Sequence, residues 1–195
     1  TIESQYCDRL RSFGTGDEER KFCSDDFDPS NCFVISIGSN GQWEFERSVV
    51  SETRCDVFTF DCTGDFKPPE DIQHRTKSYK LCLGEGGDNY KTYDELLFHI
   101  GKQGRTAAYL KIDCEGCEYS AFRNMFRKSQ NLPKQIALEL HASTPVEKIP
   151  WSYRYKTKQE IASFMDLFRY FGYGVVHRRD NDQFMLGIEI LLLKY

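Results

Sequence analysis

Short apolar runs alternate with polar, helix-compatible stretches along most of this chain. Five of the apolar runs have the length of buried strands: residues 33–37, 56–60, 79–83, 107–112 and 135–140. Helical patterns are predicted between them, at residues 43–50, 92–102 and 121–127. Thr92 with Glu95 forms a capping box at the start of one helix. Strands that alternate with helices predict an α/β domain with a mostly parallel sheet and helices on both faces.

The C-terminal part of the pattern differs from the rest. Residues 158–171 place their apolar side chains on one helical face. Residues 173–177 and 185–193 have strand-like composition and flank the polar turn at 179–182. We therefore expect an antiparallel hairpin at one edge of the sheet.

The first 31 residues do not follow the alternation. We predict an N-terminal accessory segment over 1–31, with a short helix at 2–13 and an acidic loop, followed by the main domain over 32–195. A chain of 195 residues supplies the core of one domain and is short for two. Because numbering begins at Thr1, the chain could be a fragment, with a targeting segment outside it.

Net charge changes the list of expected partners. The formal charge of -4 and the pI of about 5.6 give no attraction to phosphate backbones or anionic membranes. No apolar run approaches the roughly 20 residues of a membrane span. We expect a soluble, cytoplasmic protein without a nucleic-acid partner.

Cysteine is frequent, with eight residues. Most are interpreted as buried thiols next to predicted strands. Cys23 and Cys32, with Cys7 nearby, are the only plausible bridge, and their redox state is left open. Cys114 and Cys117 have C-x-x-C spacing, but no second ligand pair follows, which disfavours a zinc site.

Acidic residues cluster where the apolar run at 107–112 ends. Asp113, Glu115 and Glu118 follow it directly, and ligands of open α/β sheets gather at the carboxyl ends of strands. The alternative is an acidic loop that merely favours the next helix N-terminus. Lys111 lies inside the apolar run and must reach a carboxylate or a substrate oxygen.

The next predicted strand ends in Glu139-Leu-His141. An imidazole titrates near neutral pH, so His141 is the candidate general base, with a structural role as the alternative. Asp113 and Glu139 end neighbouring strands and could hold Mg²⁺.

A glycine-containing loop, Gly38-Ser39-Asn40-Gly41, follows the first predicted strand of the sheet. Asp61 ends the second strand, where a carboxylate can accept hydrogen bonds from both hydroxyls of a ribose. The loop is not G-x-G-x-x-G, and no P-loop is present. These features favour S-adenosylmethionine, a nucleoside cofactor without phosphates.

The motifs together resemble a known family. In order and spacing, seven blocks resemble the FkbM-type and methyltransferase-24-like S-adenosylmethionine-dependent O-methyltransferases: residues 31–38, 40–45, 57–61, 81–84, 92–94, 109–118 and 138–141. The block at 110–118 is the most specific of them. Cys114 and Cys117 replace residues that are usually apolar or small in that family.

This resemblance implies a class I methyltransferase (Rossmann-like) sheet of seven strands in the order 3-2-1-4-5-7-6. It also implies a cofactor, S-adenosylmethionine or its product S-adenosylhomocysteine, over the ends of strands one to four. The residues expected there are Gly38, Ser39, Asn40, Gly41, Trp43, Asp61, Leu83, Gly84 and Asp113. A core position is an equal alternative for Trp43.

The family methylates hydroxyls, so a sugar or other glycan hydroxyl, such as that of the deoxysugar rhamnose, is the expected acceptor. Asp113, Lys111 and His141 are the expected catalytic residues. Glu115 and Glu139 are expected to contact the acceptor, and so are Trp151, Tyr153 and Arg154 in an aromatic and basic stretch that could equally be a solvated loop.

Such domains also occur fused to glycosyltransferases, which makes a larger glycan-synthesis protein possible. Two other functions stay open: a catalytically inactive binding module with this fold, and a nucleic-acid methyltransferase, which the net charge opposes.

Overall fold

The computed structural model describes residues 7–25, 27–28, 32–142, 156–181 and 187–195. Helices within these ranges are α1 (Glu44–Glu52), α2 (Tyr93–His99), α3 (Glu118–Lys128) and α4 (Lys158–Tyr170). The strands are β1 (Leu10–Phe13), β2 (Arg20–Cys23), β3 (Phe33–Ile37), β4 (Asp56–Phe60), β5 (Thr76–Tyr79), β6 (Cys82–Leu83), β7 (Tyr90–Lys91), β8 (Tyr109–Ile112), β9 (Gln135–His141), β10 (Tyr173–Asn181) and β11 (Gly187–Lys194).

Seven of these strands form the central sheet, in the order β5-β4-β3-β8-β9-β11-β10. The five strands from β5 to β9 are mutually parallel, and β11 and β10 are antiparallel to their neighbours. Numbered within the sheet, this order is 3-2-1-4-5-7-6, which confirms the predicted topology and the C-terminal hairpin. The third strand was placed wrongly: it is Thr76–Tyr79, and Cys82–Leu83 pairs instead with Tyr90–Lys91.

Apolar side chains fill both faces of the sheet. On one face, α3 and α4 contribute a contiguous set of rings, in which Phe122, Phe126, Phe164 and Phe168 contact one another. The capping boxes at Thr92 and Thr157 fix the starts of α2 and α4. The other face is covered by α1 and the N-terminal hairpin.

The N-terminal segment is a β-hairpin over its described part, and the expected helix is wrong for residues 10–13. Phe13 stacks on Phe22 at 3.8 Å between ring centroids and meets Tyr109 of β8 edge-on at 5.9 Å. Phe13 is fully buried. The hairpin therefore belongs to the hydrophobic core, and the domain boundary at residue 31 stays a prediction.

All eight cysteines form disulfides, so the interpretation of most of them as buried thiols is wrong. The bonds are Cys7–Cys23, Cys32–Cys55, Cys62–Cys82 and Cys114–Cys117. Cys23 and Cys32 each have a bridge, but not with each other. Disulfides are rare in cytosolic proteins, so these bonds disagree with the expected cytoplasmic location.

Within the described ranges, no helix combines the length and apolarity needed to cross a bilayer.

Candidate active site

The carboxyl ends of four parallel strands meet at one edge of the sheet. The backbone N–H of Gly38, after β3, donates to Phe60 at 3.0 Å, and that of Asp113, after β8, donates to Ile37 at 3.1 Å. Asp61 follows β4 and donates its N–H to Tyr79 at 3.1 Å. The sheet thus brings the loops after β3, β4 and β8 together, as the sequence predicted.

His141 ends β9 and lies among carboxylates at this edge. Its Nδ1 lies 3.0 Å from Oε1 of Glu118, which is fully buried at the start of α3. Its Nε2 faces Glu115 Oε2 at 3.5 Å and Asp113 Oδ1 at 3.7 Å. Both ring nitrogens therefore face negative charge.

This environment determines the protonation of the imidazole. Burial alone would lower the pKa of His141, but the hydrogen bond to Glu118 and the charges of Glu118, Asp113 and Glu115 outweigh it and raise the pKa from 6.5 to about 10. At neutral pH the ring is an imidazolium ion and has no lone pair to accept a proton. This disagrees with the interpretation of His141 as general base.

Glu115 combines three unusual features. Its backbone has φ of 55°, a left-handed conformation uncommon for a side chain of this size. Its Oε2 is buried and makes no hydrogen bond to the described residues. Burial raises the pKa of the carboxyl group, and the charge of His141 acts in the opposite direction. Strained backbones and perturbed carboxyl groups are characteristic of functional sites.

Arg20, in β2 of the hairpin, reaches into the same edge and was missed by the sequence interpretation. Its guanidinium lies 3.0 Å from Asp113 and 2.8 Å from Glu139, with only 2% of the side chain exposed. Burial opposes the charge, but Asp113, Glu139, Glu189 and Glu18 outweigh it and raise the pKa of Arg20. A guanidinium thus lies between the two carboxylates predicted to hold Mg²⁺, and this arrangement argues against a metal ion there.

A second set of potential metal ligands exists at this edge. Ligand atoms of Asp113, Glu115 and His141 lie within 4.8 Å of one another. A metal ion would need the lone pair of His141 Nε2, which is protonated at neutral pH in the arrangement described above. A metal ion would therefore have to displace this proton in order to bind.

Lys111 has a structural partner. Its Nζ lies 2.8 Å from Glu18 of the hairpin and donates to the carbonyl oxygen of Gly38 at 3.0 Å. The sequence predicted a carboxylate or a substrate oxygen as the partner of Lys111. The partner is the carboxylate of Glu18, in the N-terminal hairpin, which the sequence did not place at this edge. Lys111 is fully buried, and its hydrogen bond to Gly38 stabilises the loop after β3 from the protein interior.

Gly38 approaches the neighbouring loop closely. It has φ of 77°, and a Cβ at this position would lie 1.7 Å from the carbonyl oxygen of Asp113. Only glycine fits there. Phe66 lies against Gly41 and Gly64, where an added Cβ would approach its ring to 2.9 and 2.4 Å. These contacts fix the shape of the loop at the ends of β3 and β4.

Asp61 is bound mostly by the backbone. Its Oδ2 accepts from the N–H of Asn40 at 2.7 Å, and its Oδ1 accepts from the N–H and hydroxyl of Thr63 at 2.9 and 2.6 Å. A carboxylate has about four lone-pair positions, so three are in use. Asp61 can therefore accept one further hydrogen bond directly. The prediction that it accepts hydrogen bonds from both hydroxyls of a ribose requires a second free lone pair, which the Thr63 hydroxyl releases if it rotates away.

The other predicted residues fall into three groups. The Cys62–Cys82 disulfide ties the loop after Asp61 to β6 and so brings Leu83 and Gly84 to the same edge. Trp43 lies in the apolar core with 7% exposure, and Ser39 is buried. Trp151, Tyr153 and Arg154 lie outside the described residues.

Solved structures share this architecture at low sequence identity. The methyltransferase domain of bacterial CtHen1 matches at 10% identity and a TM-score of 0.51, over 83% of this chain and 89% of that one. A Lactococcus lactis protein proposed to be a hemolysin matches at 12% identity and a TM-score of 0.54, over 86% and 80%. The pyocyanin biosynthetic protein PhzM matches with a TM-score of 0.45 at 12% identity and 87% coverage, and this chain spans 52% of its length. The first two matches, with TM-scores above 0.5, show a shared fold and nothing more.

No curated protein sequence matches the chain. The model of one protein family, described as a methyltransferase domain, matches residues 5–194. It supports a methyltransferase family without selecting the FkbM type. Together with the strand order 3-2-1-4-5-7-6, this match means that the chain belongs to the methyltransferase-domain family and has the class I methyltransferase fold.

Proposed function

We propose that this protein is an S-adenosylmethionine-dependent O-methyltransferase that acts on a hydroxyl of a neutral sugar or glycan. One observation carries the proposal. Glu115 has a left-handed backbone conformation, and its buried Oε2 makes no hydrogen bond to the described residues, although His141 Nε2 faces it at 3.5 Å. A carboxylate held in this way, with a raised pKa, suits the deprotonation of an acceptor hydroxyl.

The residues at the ends of β3 and β4 fit the proposed cofactor. The tight turn of Gly38 allows close approach of the backbone, and Asp61 retains a free lone pair for a ribose hydroxyl. S-adenosylmethionine, when bound, supplies an electrophilic methyl group. Asp61 and the loop from Gly38 to Gly41 orient it from one side of the sheet edge.

The residues at the ends of β8 and β9 act on the acceptor. Glu115 takes the proton of the hydroxyl, and its raised pKa brings it closer to the pH at which a general base is most effective. His141, as an imidazolium 3.5 Å from Glu115, attracts the carboxylate and keeps it directed at the site. Arg20 holds Asp113 and Glu139 in place.

The charge of the edge constrains the acceptor. Three cations, Arg20, His141 and Arg179, face five carboxylates, which are Asp113, Glu115, Glu118, Glu139 and Glu189. The excess of negative charge disfavours phosphate-bearing acceptors, nucleic acid included. A neutral hydroxyl, such as that of a deoxysugar like rhamnose, agrees with this charge and with the FkbM-type resemblance. Fusion to glycosyltransferase domains in a longer protein remains part of this proposal.

The disulfides favour an oxidising compartment over the cytoplasm. Four disulfides join cysteines that are 3 to 23 residues apart in sequence. Disulfides form and persist outside reducing compartments. We therefore infer that the protein folds and works where disulfides are maintained.

The test is a transfer assay with isotope-labelled S-adenosylmethionine and a panel of neutral glycans that includes rhamnose-containing ones. Each reaction is run with Mg²⁺ and with excess chelator. We expect a labelled methyl ether in both conditions. Loss of transfer in chelator would require a divalent ion at Asp113, Glu115 and His141. Cofactor binding without transfer to any acceptor would favour an inactive binding module. A parallel reaction contains nucleic acid as the acceptor, and label in that nucleic acid would favour a nucleic-acid methyltransferase.

A further inference from the structure

The loop between β8 and α3 is closed by the Cys114–Cys117 disulfide. Sequence separation within this bond is 3 residues, compared with 16, 20 and 23 for the other bonds. Its ring contains Glu115 and Gly116, both with positive φ, at 55° and 103°. The crosslink therefore encloses the residue whose carboxylate faces His141.

We propose that Cys114–Cys117 is a thiol–disulfide exchange site that accepts electrons from a dithiol, and that its oxidation state sets the position of Glu115. The inference rests on the proposed role of Glu115 for its effect on methyl transfer. The exchange itself requires only the disulfide and its surroundings.

The geometry favours attack at Cys114. Cys114 is partly exposed, whereas Cys117 is 7% exposed and occupies the N-cap position of α3, an eleven-residue helix. The N-terminus of a helix favours negative charge, so sulfur of Cys117 is the better leaving group.

The exchange balances in two steps. A thiolate of the dithiol attacks Sγ of Cys114, the Cys114–Cys117 bond breaks, and its electron pair leaves on Cys117, which then takes up a proton. The second thiol of the dithiol attacks the mixed disulfide and releases Cys114 as a thiol. The dithiol is oxidised to a disulfide, and the protein gains two thiols.

Reduction changes the site in two ways. Without the ring that the Cys114–Cys117 bond closes, the left-handed backbone of Glu115 is no longer constrained. Such a conformation persists only where the surrounding structure determines it. In addition, Sγ of Cys114 lies 3.5 Å from Oε1 of Glu118, the oxygen that binds His141. A disulfide sulfur has no proton to donate, but a thiol has one and competes with His141 for this oxygen.

The rest of the fold depends less on this bond than on the others. A disulfide stabilises a protein mainly by restricting the unfolded chain, and the effect grows with the length of the closed loop. On this basis the Cys114–Cys117 bond, which closes the shortest loop, stabilises the fold least. Its contribution to the folding equilibrium constant is smaller by a factor of about ten than that of each other bond. Reduction of Cys114–Cys117 is expected to leave the protein folded.

The experiment is graded reduction of the native protein with dithiothreitol, followed by alkylation and mass-spectrometric mapping of each cysteine. We expect Cys114 and Cys117 to be labelled at dithiothreitol concentrations that leave the other three pairs unlabelled, with unchanged circular dichroism. The NMR signal of the His141 ring should move on reduction and return on reoxidation. Transfer should fall at least tenfold in the reduced form, while affinity for S-adenosylhomocysteine is kept.

A matched pair of variants separates this site from disulfides in general. Cys114→Ser with Cys117→Ser should reproduce the moved His141 signal without reductant, and Cys62→Ser with Cys82→Ser should not. Equal labelling of all four bonds, or selective labelling with an unmoved His141 signal, would overturn the proposal. Selective labelling with a moved signal supports it even in a protein that transfers no methyl group, and in that case only the proposed function fails.

Discussion

The candidate site has two halves, one at the ends of β3 and β4 and the other at the ends of β8 and β9. The carboxylates of the two halves differ in the partners that they contact. At the ends of β3 and β4, Asp61 accepts hydrogen bonds from the backbone and a threonine hydroxyl. At the ends of β8 and β9, Glu115 and Glu118 each keep a buried oxygen without a hydrogen bond to the described residues and face the charged His141. The other oxygen of Glu118 accepts from the backbone N–H of Cys114 at 3.1 Å, so Glu115 differs most from Asp61. Fixed donors occupy the lone pairs of Asp61, whereas a carboxylate oxygen without a donor keeps a lone pair that can accept a proton. We therefore assign cofactor binding to the first half and chemistry to the second.

The largest expected effect comes from removing the proposed base. Glu115→Gln keeps the size of the side chain and should lower the maximal transfer rate by about 10²- to 10⁴-fold, the usual contribution of general-base catalysis. Cofactor affinity, measured by calorimetry, should stay unchanged because Glu115 belongs to the other half of the edge.

Glu70→Gln is the matched control, since Glu70 is exposed. If Glu115→Gln keeps more than half of the wild-type rate, the division of the edge into two halves loses its main support.

The second effect concerns the buried guanidinium. Arg20→Met removes the guanidinium from Asp113 and Glu139 and leaves them only the more distant His141 ring, at 3.7 and 3.9 Å. Breaking a buried ion pair in this way costs about 3–5 kcal/mol in the free energy of unfolding. Urea denaturation under non-reducing conditions measures it. Arg11→Met is the control, because the Arg11 pair with Glu52 is largely exposed and should contribute at most about 1 kcal/mol. Equal losses for both variants would contradict the importance of the buried pair.

These residues also show where sequence reasoning reaches its limit. The strand order and the convergence of Asp61, Asp113 and His141 at one edge followed from the alternation of strands and helices, because parallel strands place their carboxyl ends together. Arg20 contacts Glu139 across 119 positions and Asp113 across 93. Local periodicity contains no information about such distant contacts. The local signal for Arg20 is weak, because it lies in the charged run at residues 17–21, directly before the apolar pair Phe22 and Cys23.

Two further features depend on the assembled structure. The cysteines lie far apart in sequence, except for Cys114 and Cys117, and their pairing is set by the fold rather than by spacing. The protonation of His141 depends on three carboxylates from one loop and one helix, and it reverses the role that its residue type suggested.

A third prediction tests that protonation through stability. The folded pKa of His141, about 10, lies above the unfolded value of 6.5. Its contribution to stability is therefore complete below pH 6.5, declines as pH rises through the interval, and is lost above about pH 10. The difference in unfolding free energy between wild type and His141→Gln should shrink by about 1.4 kcal/mol per pH unit within this interval.

Denaturation at pH 7, 8 and 9 measures this slope. His99→Gln is the control, because His99 is exposed at the end of α2. A difference that does not change with pH would mean that His141 is neutral, and the ring would again be available as a base.

The smallest effect is expected at the ends of β3 and β4, the half of the edge that we propose to bind the cofactor. Asp61→Asn keeps an oxygen for the N–H of Asn40 but loses the negative charge, so the hydrogen bond to a ribose hydroxyl becomes a neutral one. The affinity for S-adenosylhomocysteine should fall about tenfold, or about 1.4 kcal/mol, which is the low end for a hydrogen bond to a charged group. The maximal rate at saturating cofactor should change less than twofold, because Asp61 does not contact the residues that exchange the proton. A variant with unchanged affinity would remove Asp61 from the cofactor site, and a variant with a large loss of rate at saturation would mean that the two halves are coupled.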